Sequence, residues 1–476
     1  MKNTLSHAIV WFRQDLRLSD NPAFTAACRE HDAIIPIYIL DDSLPLGGAQ
    51  RWWLHHSLLS LQKNLKKSGL GLCLRQGNPL DVLTQLLHDY NVQTIYWNRC
   101  YEPFAIERDT VIKAFFQASG IRVITTNGSL LHEPWEIKTQ TGSFFKVFTP
   151  FWRACLKQIT VPKKVSVPHT PKTIELDSDL LVSWKLLPTK PNWAKDFALH
   201  WEPGERGALQ KLEHFIDVHL IGYDISRDVP FKDATSKLSP HFHFGEISVW
   251  DVWRAIERVA CNKKHDIRSV ERFLSEMGWR EFSYHLLYHI PSLPQSNFKS
   301  DFDAFPWKND PVALKAWQQG NTGYPIVDAG MRELWHTGYM HNRVRMIVAS
   351  FLTKHLLIDW RIGASWFLDT LVDADTASNS ASWQWVAGCG ADAAPYFRIF
   401  NPILQGEKFD PDGAYVKQWV PELRSVSARW IHQPWMAPSD QCGLLLGKDY
   451  PHPIVDHAAA RKRALLHYQT MKKKHD

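Results

Sequence analysis

Apolar positions in the first 130 residues fall in short continuous runs rather than helical stripes. Ala8–Phe12, Ala33–Leu40, Leu72–Arg75, Thr94–Trp97 and Arg122–Thr125 predict five strands. Between them, Gln50–Ser68 and Pro103–Ala118 show helical spacing. Strands alternating with helices predict a parallel, Rossmann-like sheet with right-handed crossovers. No GxGxxG follows the first strand, so the usual dinucleotide fingerprint is missing. From about Asn127 the pattern breaks up, with Pro and Lys clustered at Val161–Lys164 and Pro188–Pro191, which predicts a long connection containing one helix within Phe144–Leu156. Beyond Trp201 the periodicity is helical. It predicts helices at Gly207–His219, Ser248–Ala260, Ile267–Tyr288, Pro311–Gln319, Ile326–Thr337 and His341–Leu357.

A length of 476 residues suits two domains. The pattern divides them as an α/β domain over 1–130, a linker over 131–195 and a mostly α-helical domain over 196–476. No apolar run is long enough for a bilayer. The first residues, Met1 to His7, lack a signal-peptide pattern, so a soluble cytoplasmic protein is expected. Seven scattered cysteines (28, 73, 100, 155, 261, 389 and 442) form no CxxC, which argues against a disulfide framework or a structural zinc site. The 55 basic and 49 acidic residues give +6, a balance shared by many proteins with no polyanionic partner. The 22 tryptophans change the picture more, because so much indole offers capacity for stacking or electron transfer.

Five polar segments interrupt the helical half. Thr235-Ser236-Lys237-Leu238-Ser239-Pro240 clusters hydroxyls before a helix start, a setting that suits a phosphate and equally an ordinary cap. Glu276, Trp279 and Arg280 are spaced i, i+3 and i+4 and share a helical face. A carboxylate, an indole and a guanidinium there could read and stack a base, or form an ordinary ion pair. Asn342 aligns with Arg345 and Met346 at the polar start of a helix that then turns apolar. In Asp373–Trp385, cap-forming residues precede two indoles. Trp383 and Trp385 lie about 200° apart on a helix and must face different partners. Asp392–Pro402 sets turn residues around aromatics and Arg398.

Together these segments resemble the photolyase/cryptochrome family. Val10-Trp11-Phe12-Arg13-Gln14-Asp15-Leu16-Arg17 is similar to its amino-terminal signature. Trp279–Phe282, Gly323–Asp328, Met340–Arg343 and Phe397–Pro402 are similar to its helical-domain signatures, in the same order from about residue 8 to about residue 460. The resemblance is to the class I, bacterial-type branch that splits cyclobutane pyrimidine dimers.

The resemblance implies an α/β domain, a linker and a helical domain that buries one FAD. It implies that Tyr223, Thr235, Ser236, Lys237, Leu238 and Ser239 hold the diphosphate, with Arg280 also at the cofactor. Arg345 and Asp373 would pair beside the isoalloxazine, Asp375 nearby, and Asn379 would face flavin N5. Light would excite the reduced flavin, which lends an electron to a dimer and recovers it. The dimer would first be flipped out of the duplex, because its bonds are out of reach inside the stack. Glu276 and Asn342 would bond the dimer, Trp279 and Trp385 sandwich it, and Met346 fill the pocket. Arg227, Arg343 and Arg398 would meet DNA phosphates or the cavity rim. Trp383, Trp360 and Trp307 would carry electrons from the surface. DNA is the implied partner of a monomer that joins the nucleoid when bound, and no metal is implied.

Two rival activities share the family. A six-four photolyase is expected to carry histidine where Asn342 stands. A cryptochrome often has a long carboxy-terminal extension and a different residue at Asn379. For a second, antenna chromophore, Asn98–Glu102 resembles a folate-contacting segment, with Glu102 the candidate. Pro294 and Gln295 stand where folate-binding relatives carry Cys and Lys, so folate, deazaflavin, flavin or no antenna stay open.

Overall fold

The structure, a computed structural model, describes residues 7–43, 45–166, 171–174, 176–260, 267–393, 397–438 and 443–473. Met1–Ser6, Cys261, Cys442, Lys474 and residues 394–396 of the aromatic turn lie outside them.

Strands β1 (His7–Phe12), β2 (Ala33–Leu40), β3 (Cys73–Gln76), β4 (Thr94–Asn98) and β5 (Arg122–Thr126) form a parallel sheet in the order β3-β2-β1-β4-β5. Their continuous apolar runs follow from burial on both faces; all eight residues of β2 are buried. A sixth, two-residue strand, β6 (Lys172–Thr173), pairs parallel with the start of β2, inside the connection in which one helix and no strand was expected. Helices α1 (Pro22–Glu30), α2 (Gly48–Lys67), α3 (Pro79–Tyr90) and α4 (Pro103–Ala118) make the crossovers. Asn21 and Asn78 cap α1 and α3, each ahead of a proline whose missing N–H costs nothing in a first turn.

The chain continues through α5 (Phe148–Gln158), α6 (Glu205–His214), α7 (Tyr223–Ser226), α8 (Ser239–His243), α9 (Val249–Ala260) and α10 (Ile267–His289). It then forms α11 (Pro311–Gln318), α12 (Pro325–Thr337), α13 (Asn342–Ser350), α14 (Trp360–Thr370), α15 (Thr376–Ala387), α16 (Pro402–Phe409), α17 (Ala414–Trp419) and α18 (His457–Lys473). Two expected helices change pitch before they end: α6 widens into a π turn at Phe215–His219, and α13 into another at Phe351–His355.

The chain packs as two compact units. The first comprises residues 1–145, 149–221 and 236–291, so α8, α9 and α10 pack with the sheet; the second comprises 146–148, 222–235 and 292–476. Ile9, Trp11, Ile35, Ile37 and Trp97 centre the core of the sheet. Trp317, Val344, Val348, Phe351, Leu352, Trp360 and Trp383 centre the core of the second unit.

Candidate functional site

In the first unit, strand ends place charged groups where open α/β sheets often take ligands, around the switch between β1 and β4. Arg13, just past β1, is buried. It pairs with Asp109 (2.5 Å), donates to the Asn98 carbonyl and lies over Trp11 (4.6 Å). Arg108 pairs with Asp41 (3.0 Å) and also lies over Trp11. Burial opposes the charge of Arg13, but Asp109 and its neighbours more than offset this and raise its pKa. Glu102 is the exception. One carboxylate oxygen accepts from Gln14 (2.7 Å), while Oε2 is buried with no hydrogen-bond partner among the described residues.

The same unit carries Ser236–Ser239. Lys237 adopts the left-handed conformation (φ 51°), turning the chain so that Leu238 is buried while Ser239 is exposed. The hydroxyl of Ser236 accepts from the N–H of Leu238 (3.4 Å). The expected cap Ser239 is instead the first residue of α8, with Leu238 at the cap position.

On α10, Glu276 pairs with Arg272 (3.3 Å, i,i+4) rather than with Arg280. Trp279 lies edge-on to Phe282 (5.9 Å). Arg280 donates to the Ser129 carbonyl (2.8 Å) and lies over Tyr284 (4.8 Å), so its guanidinium is engaged inside the first unit.

The second unit gathers the remaining residues. Arg345 grips Asp373 with one nitrogen shared by both carboxylate oxygens (3.0 and 2.9 Å) and lies over Tyr339 (4.9 Å). Tyr339, missed in the sequence because nothing in its spacing marks it, hydrogen-bonds Thr235, and burial pushes its hydroxyl up to about 12. Tyr223 is buried in α7. Asp375 caps α15 by accepting from Ser378 (2.7 Å), which makes the short polar run a helix start. One turn on, Asn379 donates its amide to the Ala364 carbonyl (3.0 Å), and its side-chain oxygen has no partner among the described residues.

His341 caps α13: its Nδ1 accepts from Arg343 N–H (3.2 Å), and burial pulls its pKa down to about 4, so the ring is neutral near pH 7. Asn342 is exposed at the first turn, and Met346 lies beside Arg343. Arg343 is paired with Asp228 (2.7 Å), which also lies 3.8 Å from the buried Arg227. Arg398 is exposed; it lies over the Phe400 ring (4.9 Å) and has no hydrogen bond or ion pair to a described residue.

Trp383 and Trp385 differ as their spacing requires. Trp383 is buried, edge-on to Phe367 (5.0 Å) and Trp317 (6.3 Å); Trp385 is half-buried and donates to the Asp392 carbonyl (3.1 Å). Gly363 makes the close approach of Trp383 to α14 feasible, since a Cβ there would meet its ring at 2.2 Å. Trp360 is fully buried and donates to Asn297 (2.9 Å); Trp307 is half-buried against Phe305 (4.4 Å). All three tryptophans of the expected electron path pack in one apolar cluster. Among the described residues the indole in ring contact with Trp383, however, is that of Trp317, which the sequence did not single out.

These groups suit a flavin. An amide oxygen such as that of Asn379 is the acceptor a reduced flavin N5–H needs, and the Arg345–Asp373 pair can balance its charge. Comparison with known proteins agrees. Residues 8–172 match the family described as DNA photolyase, and 273–470 match the FAD binding domain of DNA photolyase. The chain belongs to the photolyase/cryptochrome family. It is 53% identical to a deoxyribodipyrimidine photo-lyase of Agrobacterium fabrum, over 98% of each chain. It is 39% identical to cryptochrome-1 of Arabidopsis thaliana, covering 96% of this chain and 70% of that one. The crystal structure of a bacterial class III photolyase from Agrobacterium tumefaciens superposes with a TM-score of 0.96 at 52% identity, over 99% of each chain. The parallel-sheet domain and the helical FAD-binding domain are thus those of photolyases. Among the described residues no helix is long and apolar enough to cross a membrane, and no group of three or more His, Cys, Asp or Glu could hold a metal ion.

Proposed function

We propose that the protein repairs cyclobutane pyrimidine dimers in DNA under blue light, as a deoxyribodipyrimidine photo-lyase with one FAD per chain. Bound FAD supplies light-driven one-electron donation to the lesion and takes the electron back. The chain's own residues bind, orient and exclude water. The observation that carries the reading is the second unit's set of groups: Asn379 with its amide nitrogen held and its oxygen open, and Arg345 fixed by Asp373. Tyr223, Thr235 and Ser236–Ser239 hold the diphosphate. Glu276 and Asn342 bond pyrimidine edges, Trp279 and Trp385 each offer a ring face, and Met346 adds apolar contact. Trp383, Trp360 and Trp307 return electrons to oxidised flavin.

Lesion choice follows from α13. Repair of a six-four lesion requires a proton donor, and this helix offers the neutral amide of Asn342 and a His341 held neutral as a cap. The subclass reads as class III rather than class I, supported by the near-complete coverage of the Agrobacterium photolyase structure. For a second chromophore, the open Oε2 of Glu102 offers an acceptor to a ring N–H, chemistry shared by folate, deazaflavin and flavin; the absorption spectrum of native protein distinguishes them. The working state is proposed as a cytoplasmic monomer that joins the nucleoid, and sizing with and without damaged duplex tests the monomer.

The test of function uses oligonucleotides carrying one cyclobutane dimer or one six-four lesion, with reduced holoprotein, in light and dark. Dimers restored only in light, with six-four lesions untouched, are expected. Light-independent repair, or six-four restoration, overturns the reading. Flavin photoreduction without any repair favours the cryptochrome reading that the Arabidopsis relative raises.

A further inference from the structure

Near the C-terminal end of the second unit lies a cleft of about 440 Å³ lined by Arg398, Phe400, Asn401, Gln405, His457 and Arg461, among others. No acidic residue lines it among the described residues. His457 and Arg461 stand at i and i+4 on one face of α18. Neither Arg398 nor Arg461 has a hydrogen bond or ion pair to a described residue, and both are exposed. Asp456, just before α18, is turned to cap it, accepting from Ala459 N–H (2.8 Å). The cleft also meets the positive ends of two helices, α16 behind Asn401 and α18 at His457, and neither helix has an acidic residue in its first turn.

Both walls are held in place. Phe397, next to Arg398, stacks on Tyr468 of α18 (4.6 Å, 5° between planes) and lies under Lys354 (3.3 Å). Phe400 N–H donates to Ser350 (3.3 Å). On the other side, His457 bonds His355 (2.8 Å), and Arg463 donates to the His355 carbonyl (2.7 Å). Two guanidiniums without ion-pair partners line one cleft in which no carboxylate is found among the described lining residues, so an anion between them would be favoured.

We infer that this cleft is a phosphate site for the DNA backbone, in which Arg461 joins Arg398. The inference rests on the DNA-repair reading and extends the expected contacts to α18, which no motif marks. Such contacts position the protein without reading sequence or lesion.

The test is duplex binding against salt concentration, with and without a dimer, for wild type, Arg461→Gln and Lys462→Gln. Lys462 is exposed on the same helix but does not line the cleft. Arg461→Gln should lower the slope of log affinity against log salt by about 0.9, one phosphate contact. That slope corresponds to about eightfold weaker binding at ~0.1 M salt, referred to ~1 M. The loss should be equal for damaged and intact duplex, with melting temperature and FAD content unchanged. Lys462→Gln should change the slope much less. An unchanged slope in Arg461→Gln, an equal loss in Lys462→Gln, or a loss confined to damaged duplex overturns the inference. So does inorganic phosphate raising the melting temperature through Arg461 while duplex binding ignores it, which marks a small-anion site. Failure of the repair reading is distinct: wild type itself then shows no preference for damaged duplex.

Discussion

The sheet's switch-point crevice and the helical second unit treat their charged and polar groups differently. Around β1 and β4, Arg13, Arg108, Asp41 and Asp109 neutralise one another against Trp11, and Glu102 alone among them keeps an oxygen without a partner. In the second unit, Arg345 is paired, yet Asn379, Arg398 and Arg461 keep polar atoms without protein partners among the described residues. A fold that places its usual ligand position at strand ends here fills that position with its own ion pairs. On the proposed function, the polar atoms left without partners in the second unit are those that would meet flavin and DNA.

Breaking one buried pair in each region sharpens the contrast and should give the largest effects. Asp109→Asn strands the buried Arg13, and Asp373→Asn strands Arg345. Asp109→Asn should cost about 3 kcal/mol of unfolding free energy in urea titration, the scale of an uncompensated buried charge, and Asp373→Asn less, because Arg345 is partly exposed. If the crevice rather than the helical unit served the flavin, Asp109→Asn would lose FAD and Asp373→Asn would not.

Acid should act next most strongly. Burial lowers the pKa of His285 and His341 to about 4 and of His355 to about 3. A depressed folded pKa gives stability that is full above the ordinary value of about 6.5 and is lost as pH falls toward 4. Each histidine adds a slope of up to ~1.4 kcal/mol per pH unit. Glu281, raised to about 7 by burial, runs the other way: its contribution is full below its unfolded value and lost as pH rises through 7. Burial also raises Asp328 and Asp410, but it lowers many more histidines than it raises carboxyls, so the melting temperature should fall between pH 6.5 and 4. His341→Asn keeps a capping side chain and should flatten the curve by about one proton. An unchanged slope in that variant contradicts a neutral buried His341.

A smaller change in fold and a selective change in function are expected at Trp383. Trp383→Phe should remove most light-driven reduction of oxidised flavin, read by absorbance, and leave dimer repair by chemically reduced protein intact. Equal loss of both would place Trp383 in the lesion site. Glu276→Ala should weaken dimer binding by about 1.5–3 kcal/mol, the scale of a hydrogen bond to a charged group, with FAD retained. Undiminished dimer affinity would leave Glu276 as no more than the helix ion pair it forms with Arg272.

Much of the architecture is legible along the chain because burial is periodic. The doubly buried strands read directly from residue order, and each expected strand is found within a residue or so of its place. The different surroundings of Trp383 and Trp385 follow from helical geometry alone. Partner choice is not periodic. That Glu276 pairs with Arg272, that Arg280 turns to Ser129, and that Asp228 serves Arg343 depend on segments far apart in sequence or on rotamers. The π turns that end α6 and α13 and the two-residue β6 carry no pattern of their own; the surrounding packing imposes them. Arg461 is invisible for the same reason, since its cleft exists only once α18 packs beside Phe397.

The most direct measurement of the contrast between the two regions is flavin released per folded chain. Wild type, Asp109→Asn and Asp373→Asn, each confirmed folded by circular dichroism, are denatured and their FAD counted. Wild type and Asp109→Asn should release the same amount of FAD, with a marked loss only in Asp373→Asn. Full FAD in Asp373→Asn with loss in Asp109→Asn would contradict a flavin site in the helical unit.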